Sequence, residues 1–235
     1  VGPDQSLIFG ALTANGRVFL VNPNGILFAP GASVIVGGLV ASTLDISNAN
    51  FDAGTYQFDR GTATGTVVNQ GNITVTAPNS YAALIGLQAR NEKVGGSAIT
   101  DGVITVAARG TVALAAGDRV TLDIVGDSLI NVSVNLAAAG AAVLNQAGAQ
   151  ILANGGQVFM TAHRAGGLLD TVVNMDGLIR ANTLVAGENG TVRLDGGDQR
   201  VSVTGTLEAR GDAAGMIGGS ISVTGREVAV GSTAT

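Results

Sequence analysis

Apolar stretches of four to six residues, in which Val, Ile, Leu and Thr alternate with polar positions, run the length of the chain and are broken by Gly, Asn or Asp. Period-two alternation bounded by such residues is the pattern of short β-strands joined by tight turns. No stretch carries apolar residues at a sustained helical spacing between caps, so crossover helices are not expected.

In the C-terminal half the stretches recur in a fixed order. The pieces "VLN", "VVN", "VSVT" and "VAV" begin at Val143, Val172, Val201 and Val228, at steps of 29, 29 and 27 residues. A second series centres on Ile151, Ile179 and Leu207, at steps of 28, and a third on Val158, Val192 and Ile221, at steps of 34 and 29. Three strands per repeat without helices predict a solenoid in which each strand stacks on its counterpart one coil away, about 4.8 Å along the axis. The expected fold is therefore all-β, a parallel β-helix of three-strand coils forming a single domain over residues 1–235. An antiparallel sandwich also uses many short strands. The matched register of the three series and the scarcity of large aromatics speak against it.

The N-terminal third is less regular and holds Phe9, Phe19, Phe28, Phe51, Tyr56, Phe58 and Tyr81, seven of the eight aromatic residues. Rings of this size are expected outside the narrow interior. The segment 48–62, "NANFDAGTYQFDRGT", is expected to be an extra-helical excursion such as a hairpin laid against the coil. The strand "EVAV" is followed directly by "GSTAT". A coil stopping there would leave an unpaired edge, so the chain is expected to be a piece of a much longer protein.

Composition narrows the function. With 36 Gly, no Cys, no Trp and a net charge of −5 spread over only 12% charged residues, the chain has a core of small side chains and a polar, weakly charged surface. The arginines form no basic cluster, which argues against nucleic acid as a partner. Without Cys there is neither a disulfide framework nor a thiolate metal site. No apolar run approaches the roughly 20 residues of a membrane-spanning helix. Neither a structural metal nor a cofactor is expected.

Catalytic constellations are weak. His163, the only histidine, lies at a strand end before a Gly-rich corner and has no recognisable nucleophile partner. Asp118 with Asp123, and Asp195 with Asp198, could be carboxylate pairs of the glycosidase kind, but they lack surrounding aromatics and sit in Gly-Asp turns. No glycine loop has the lysine or the strand–helix setting of a phosphate cradle. The chain is not expected to be an enzyme.

The stretch "VFLVNPNGILF" stands out, because Asn22, Pro23, Asn24, Gly25 and Ile26 form a strong turn between two strand formers. Asparagines also recur at strand ends, at Asn69, Asn145 and Asn174, where amide side chains can hydrogen-bond from coil to coil. Two roles stay open for residues 22–26, a folding corner or a recognition signal.

Residues 14–47, "ANGRVFLVNPNGILFAPGASVIVGGLVASTLDIS", together with "ALIGLQARN", "VALAAGDRVTLDIVGDSLINVSVN" and "NGGQVFMTAHRAGGLLDTVVNMDGLIRA", resemble the secretion domain of the filamentous-haemagglutinin family, the exported partners of two-partner secretion in Gram-negative bacteria. The resemblance implies a right-handed parallel β-helix with small extra-helical elements. It also implies export across the outer membrane through a barrel transporter with periplasmic POTRA domains, and a secreted or cell-surface location. The full protein would then be an adhesin-type product that meets host receptors or glycans through its downstream region. The family's earlier "NPNL" motif and signal peptide are expected before Val1. A competing expectation is a structural subunit that self-associates end to end, which concentration-dependent fibres of uniform width in electron micrographs would mark.

Overall fold

The computed structural model describes residues 2–95, 101–166, 169–212 and 214–235. Its strands fall into three long parallel sheets that the chain visits in turn, so each circuit is one coil of a parallel β-helix. The first sheet has eight strands, from Ser6–Ile8 to Glu227–Val230; the second has seven, from Ala11–Thr13 to Thr206–Glu208; the third has seven, from Arg17–Val21 to Ser220–Thr224.

Two of the three sequence series coincide with the register. Ile151, Ile179 and Leu207 stack in the second sheet, and Val158, Val192 and Ile221 in the third. In the first sheet the stack is Val143, Val173, Val201 and Val228, not Val172, because the ladder carries an irregularity between Thr171 and Val173. Val172 is the extra residue, within the strand Thr171–Met175, and it moves Val173 into line. The inward positions form one continuous core of Val, Ile, Leu and Ala, including Val34, Ile73, Ile104, Ile151 and Ile179, all unexposed. Each such side chain contributes about 1.5–3 kcal/mol on burial.

A second core lies outside the coil. The third-sheet strands Gly38–Ser42, Tyr81–Gly86 and Thr111–Ala116 are buried on both faces, and Gln157–Ala162 nearly so. Their apolar runs fit strands covered on two sides. The cover is a three-stranded antiparallel sheet of Tyr56–Asp59, Arg119–Val125 and Ser128–Leu136, reached by two departures from the coil, each after a third-sheet strand. The first departure opens with the helical turn Asn48–Asp52, whose Ser47 Oγ accepts the Asn50 N–H. It supplies one strand of the cover rather than a self-contained hairpin. The second, the hairpin at 119–136, turns on Gly126 and Asp127, with Gly126 at φ 60 as a tight primed turn requires.

Most aromatics do lie outside the coil. Phe58, Tyr81 and Phe159 are buried in the outer core, and Phe19 stacks on Tyr56 with ring centroids 5.7 Å apart. Phe28 departs from the expectation. It is fully buried inside the coil, in register with Asn69 of the next strand, where the first coils have no asparagine to fill the corner.

Candidate functional site

The turn at Asn22–Ile26 joins a third-sheet strand, Arg17–Val21, to a first-sheet strand, Ile26–Phe28. The Gly25 N–H donates to the Asn22 carbonyl at 3.1 Å, closing a four-residue turn in which Pro23 supplies its fixed φ. Gly25 sits at φ 125, which only glycine adopts readily.

Every polar atom of the Asn22 side chain is engaged within the fold. Its Oδ1 accepts the Asn24 N–H at 3.0 Å, and its Nδ2 donates to the Asp4 carbonyl at 3.1 Å and to Ser6 Oγ at 2.9 Å. The residue is only 4% exposed. Its backbone N–H reaches the Ser42 carbonyl, and the N–H groups of Thr64 and Gly65 donate to the Pro23 carbonyl. A side chain at Gly65 would come within 2.3 Å of Gly25 N, so the third coil passes directly against the turn. The corner thus fastens three successive coils. Asn24 differs: it is exposed, and its Nδ2 bonds only the Gly2 carbonyl, at 3.0 Å.

The corner asparagines form a ladder, with one change of membership. Asn69 Nδ2 donates to Asn91 Oδ1 at 2.8 Å, and Asn91 Nδ2 to Asn145 Oδ1 at 2.9 Å, all three residues being fully buried. Asn91 carries no sequence sign of this role, because "ARN" lacks the apolar pair that precedes Asn69 and Asn145. Asn174 is outside the ladder. The shifted register sets Met175 above Asn145, and Asn174 faces outward, donating to Asp176 Oδ2 at 2.9 Å. A second set, Asn154, Asn182 and Asp212, links later coils: Asn154 Oδ1 accepts the Asn182 N–H at 3.1 Å and Asn182 Nδ2 donates to Asp212 Oδ2 at 2.7 Å.

The candidate catalytic groups do not assemble. Asp118 pairs with Arg60 at 3.1 Å, while Asp123 and Asp198 are exposed. Asp195 Oδ2 lies 3.5 Å from His163 Nε2, too long and poorly aligned for a formed hydrogen bond, and Asp195 Oδ1 accepts the Gly197 N–H at 3.1 Å. The facing His163 ring, and then the Gly197 N–H, outweigh the effect of burial and push the Asp195 pKa down to about 2. A glycosidase acid needs a raised pKa, so this carboxylate is held in the opposite state. Among the described residues, no group of three His, Cys, Asp or Glu could hold a metal ion.

A carboxylate whose folded pKa is depressed adds stability above its ordinary pKa and loses it as pH falls through the folded value. The Asp195 contribution is accordingly expected to disappear between the usual 3.8 and about 2. Urea titrations across that window should show a shallower decline for Asp195→Asn than for the wild type.

The family model for the TPS secretion domain matches residues 1–209. The heme/hemopexin-binding protein of Haemophilus influenzae is 42% identical over 71 residues, which are 30% of this chain and 8% of that protein. Its counterpart from a second strain is 40% identical over 74 residues, 31% of this chain and 8% of the relative. The chain thus matches only a small part of the length of these curated relatives. Among solved structures, the crystal structure of the HMW1 secretion domain from Haemophilus influenzae aligns with a TM-score of 0.81 and 30% identity, covering 99% of this chain and 56% of that one.

Proposed function

The chain belongs to the TPS family of secretion domains, and from that premise we propose that it directs export by engaging a cognate outer-membrane transporter with POTRA domains and then serves as the folding nucleus of a cell-surface adhesin. As the domain of a two-partner exoprotein it has a secretion role, and the proposal assigns it no catalysis. Passage through a barrel requires an unfolded chain, so the driving force must come from folding on the far side. A solenoid suits this, because each emerging coil can dock on the one before it.

The observation that carries the reading is the joint at Asn22. Its buried amide ties residues 4 and 6 to the second coil, while the adjoining Pro23 carbonyl holds residues 64 and 65 of the third. In this reading the turn acts by locking the first coils together, and the transporter does not contact Asn22. Asn22→Ala in the full-length protein should lower the stability of the first coils by about 1–3 kcal/mol and slow export in parallel. Asn24→Ala, which loses one exposed hydrogen bond, should leave both near wild type. Secretion measured beside urea unfolding separates the alternatives: a variant as stable as wild type but not exported would show that the motif is read directly.

A further inference from the structure

The sequence contains four Asn-Gly pairs, at residues 15–16, 24–25, 154–155 and 189–190. Glycine after asparagine leaves the backbone nitrogen unshielded, so an Asn-Gly pair is chemically prone to attack of that nitrogen on the asparagine side chain. The fold treats the four pairs differently.

At 24–25 the Gly25 N–H is held by the Asn22 carbonyl at 3.1 Å and the Asn24 amide by the Gly2 carbonyl at 3.0 Å. At 154–155 the Gly155 N–H donates to the Asn182 carbonyl at 2.7 Å, and Asn154 Oδ1 accepts the Asn182 N–H at 3.1 Å. At 189–190 Gly190 is buried, and its Cα side is pressed against the Ala181 carbonyl, where an added Cβ would come within 1.6 Å. At 15–16 both residues are exposed; neither the Gly16 N–H nor the Asn15 side chain has a hydrogen-bond partner among the described residues, and the space beside Gly16 Cα is open.

We infer that Asn15 is a site of spontaneous deamidation in the folded protein, and that the turn hydrogen bonds of residues 22–25 protect Asn24 from the same fate. The Gly16 nitrogen loses its proton and bonds to Asn15 Cγ, the Cγ–Nδ2 bond breaks, and ammonia leaves. The resulting five-membered imide is opened by water at either carbonyl, giving an aspartate or an isoaspartate at position 15 with no oxidant or cofactor. The product places a new negative charge in the groove where Arg17 pairs with Asp127 at 3.2 Å and donates to the Gly126 carbonyl. It thus sets a second carboxylate beside the cation that tethers the tip of the 119–136 hairpin to the first coil. An isoaspartate would also lengthen the backbone at a corner where Gly37 packs against the Asn15 carbonyl. The inference is independent of the export reading, since it concerns a chemical property of the folded chain.

The test is peptide mapping by mass spectrometry after prolonged incubation at mildly alkaline pH, with the chain folded and, in parallel, in concentrated urea. In the folded chain, amide-to-acid conversion is expected at Asn15 on the order of tenfold faster than at Asn24 or Asn154, since each of those must first break a hydrogen bond. In urea the four sites should convert at similar rates. Gly16→Ala, whose new methyl meets nothing within 4 Å, should suppress conversion at Asn15 while leaving urea unfolding unchanged. Conversion at Asn24 in the folded chain as fast as at Asn15, or an Asn15 as unreactive as Asn154, would overturn the assignment.

Discussion

Replacing Asn91 by Ala is expected to destabilise the protein by about 2–6 kcal/mol, because it strands two buried polar atoms at about 1–3 kcal/mol each. Asn91 is unexposed and stands in the middle of the ladder. Its Oδ1 takes the Asn69 amide, and its Nδ2 serves Asn145 Oδ1, the Gly102 carbonyl at 3.1 Å and the Gln150 carbonyl at 3.2 Å. Its removal leaves the Asn69 amide with only a 3.5 Å approach to the Val103 carbonyl, and it takes from Asn145 Oδ1 its donor. The ladder is bounded along the sheet by Phe28, in register with Asn69, and by Met175, in register with Asn145. Asn174→Ala is the matched control. It removes one hydrogen bond from a half-buried side chain, and the stability read from urea unfolding should fall by about 1 kcal/mol or less. Equal losses for the two variants would show that the ladder contributes no more than a surface bond.

Gly156→Ala should be nearly as damaging for the opposite reason, too much matter in place of too little. Gly110, Gly156, Gly190 and Gly219 each stand one position before strands that are in register in the third sheet. A Cβ on Gly156 would lie 1.9 Å from the Gly110 carbonyl oxygen, and one on Gly219 would lie 1.8 Å from that of Gly190. Both partners are backbone, so neither can swing away. Relief would require widening a coil spacing that the hydrogen-bonded ladder fixes at about 4.8 Å. A cost of about 3 kcal/mol is expected, with faster amide hydrogen exchange concentrated in Thr111–Ala116 and Gln157–Ala162. Gly16→Ala, at a corner with open space, should cost almost nothing. If Gly156→Ala matched it, the close approach would not matter to stability.

Particular residues show how far a linear reading reaches. Ile151, Ile179 and Leu207 align by spacing alone because unequal corners compensate: the corner after Leu178–Arg180 runs over 181–190 against 153–156 one coil earlier, and the next corner is shorter, 196–199 against 163–170. "VVN" offers two adjacent valines, and only the irregularity between Thr171 and Val173 decides that Val173 rather than Val172 stacks. The hairpin at 119–136 carries a local sign, alternating residues around Gly126 and Asp127. Nothing local distinguishes strands that leave the coil from strands that stay in it.

The candidate site divides in the same way. The turn at Asn22–Ile26 follows from Pro and Gly chemistry and was legible, as was the tendency of asparagines to occupy corners. That Asn22 fastens three coils, that Asn91 replaces Asn174 in the ladder, and that Asn24 rather than Asn22 faces solvent depend on partners 16 to 54 positions away in the chain. The sequence by itself determined the strands and the three-strand repeat, since these rest on side-chain periodicity and residue type. Only the tertiary structure decided which amides meet, which glycines touch backbone and which apolar strands receive an outer cover. Those outcomes depend on how each coil comes to rest on the one beneath it.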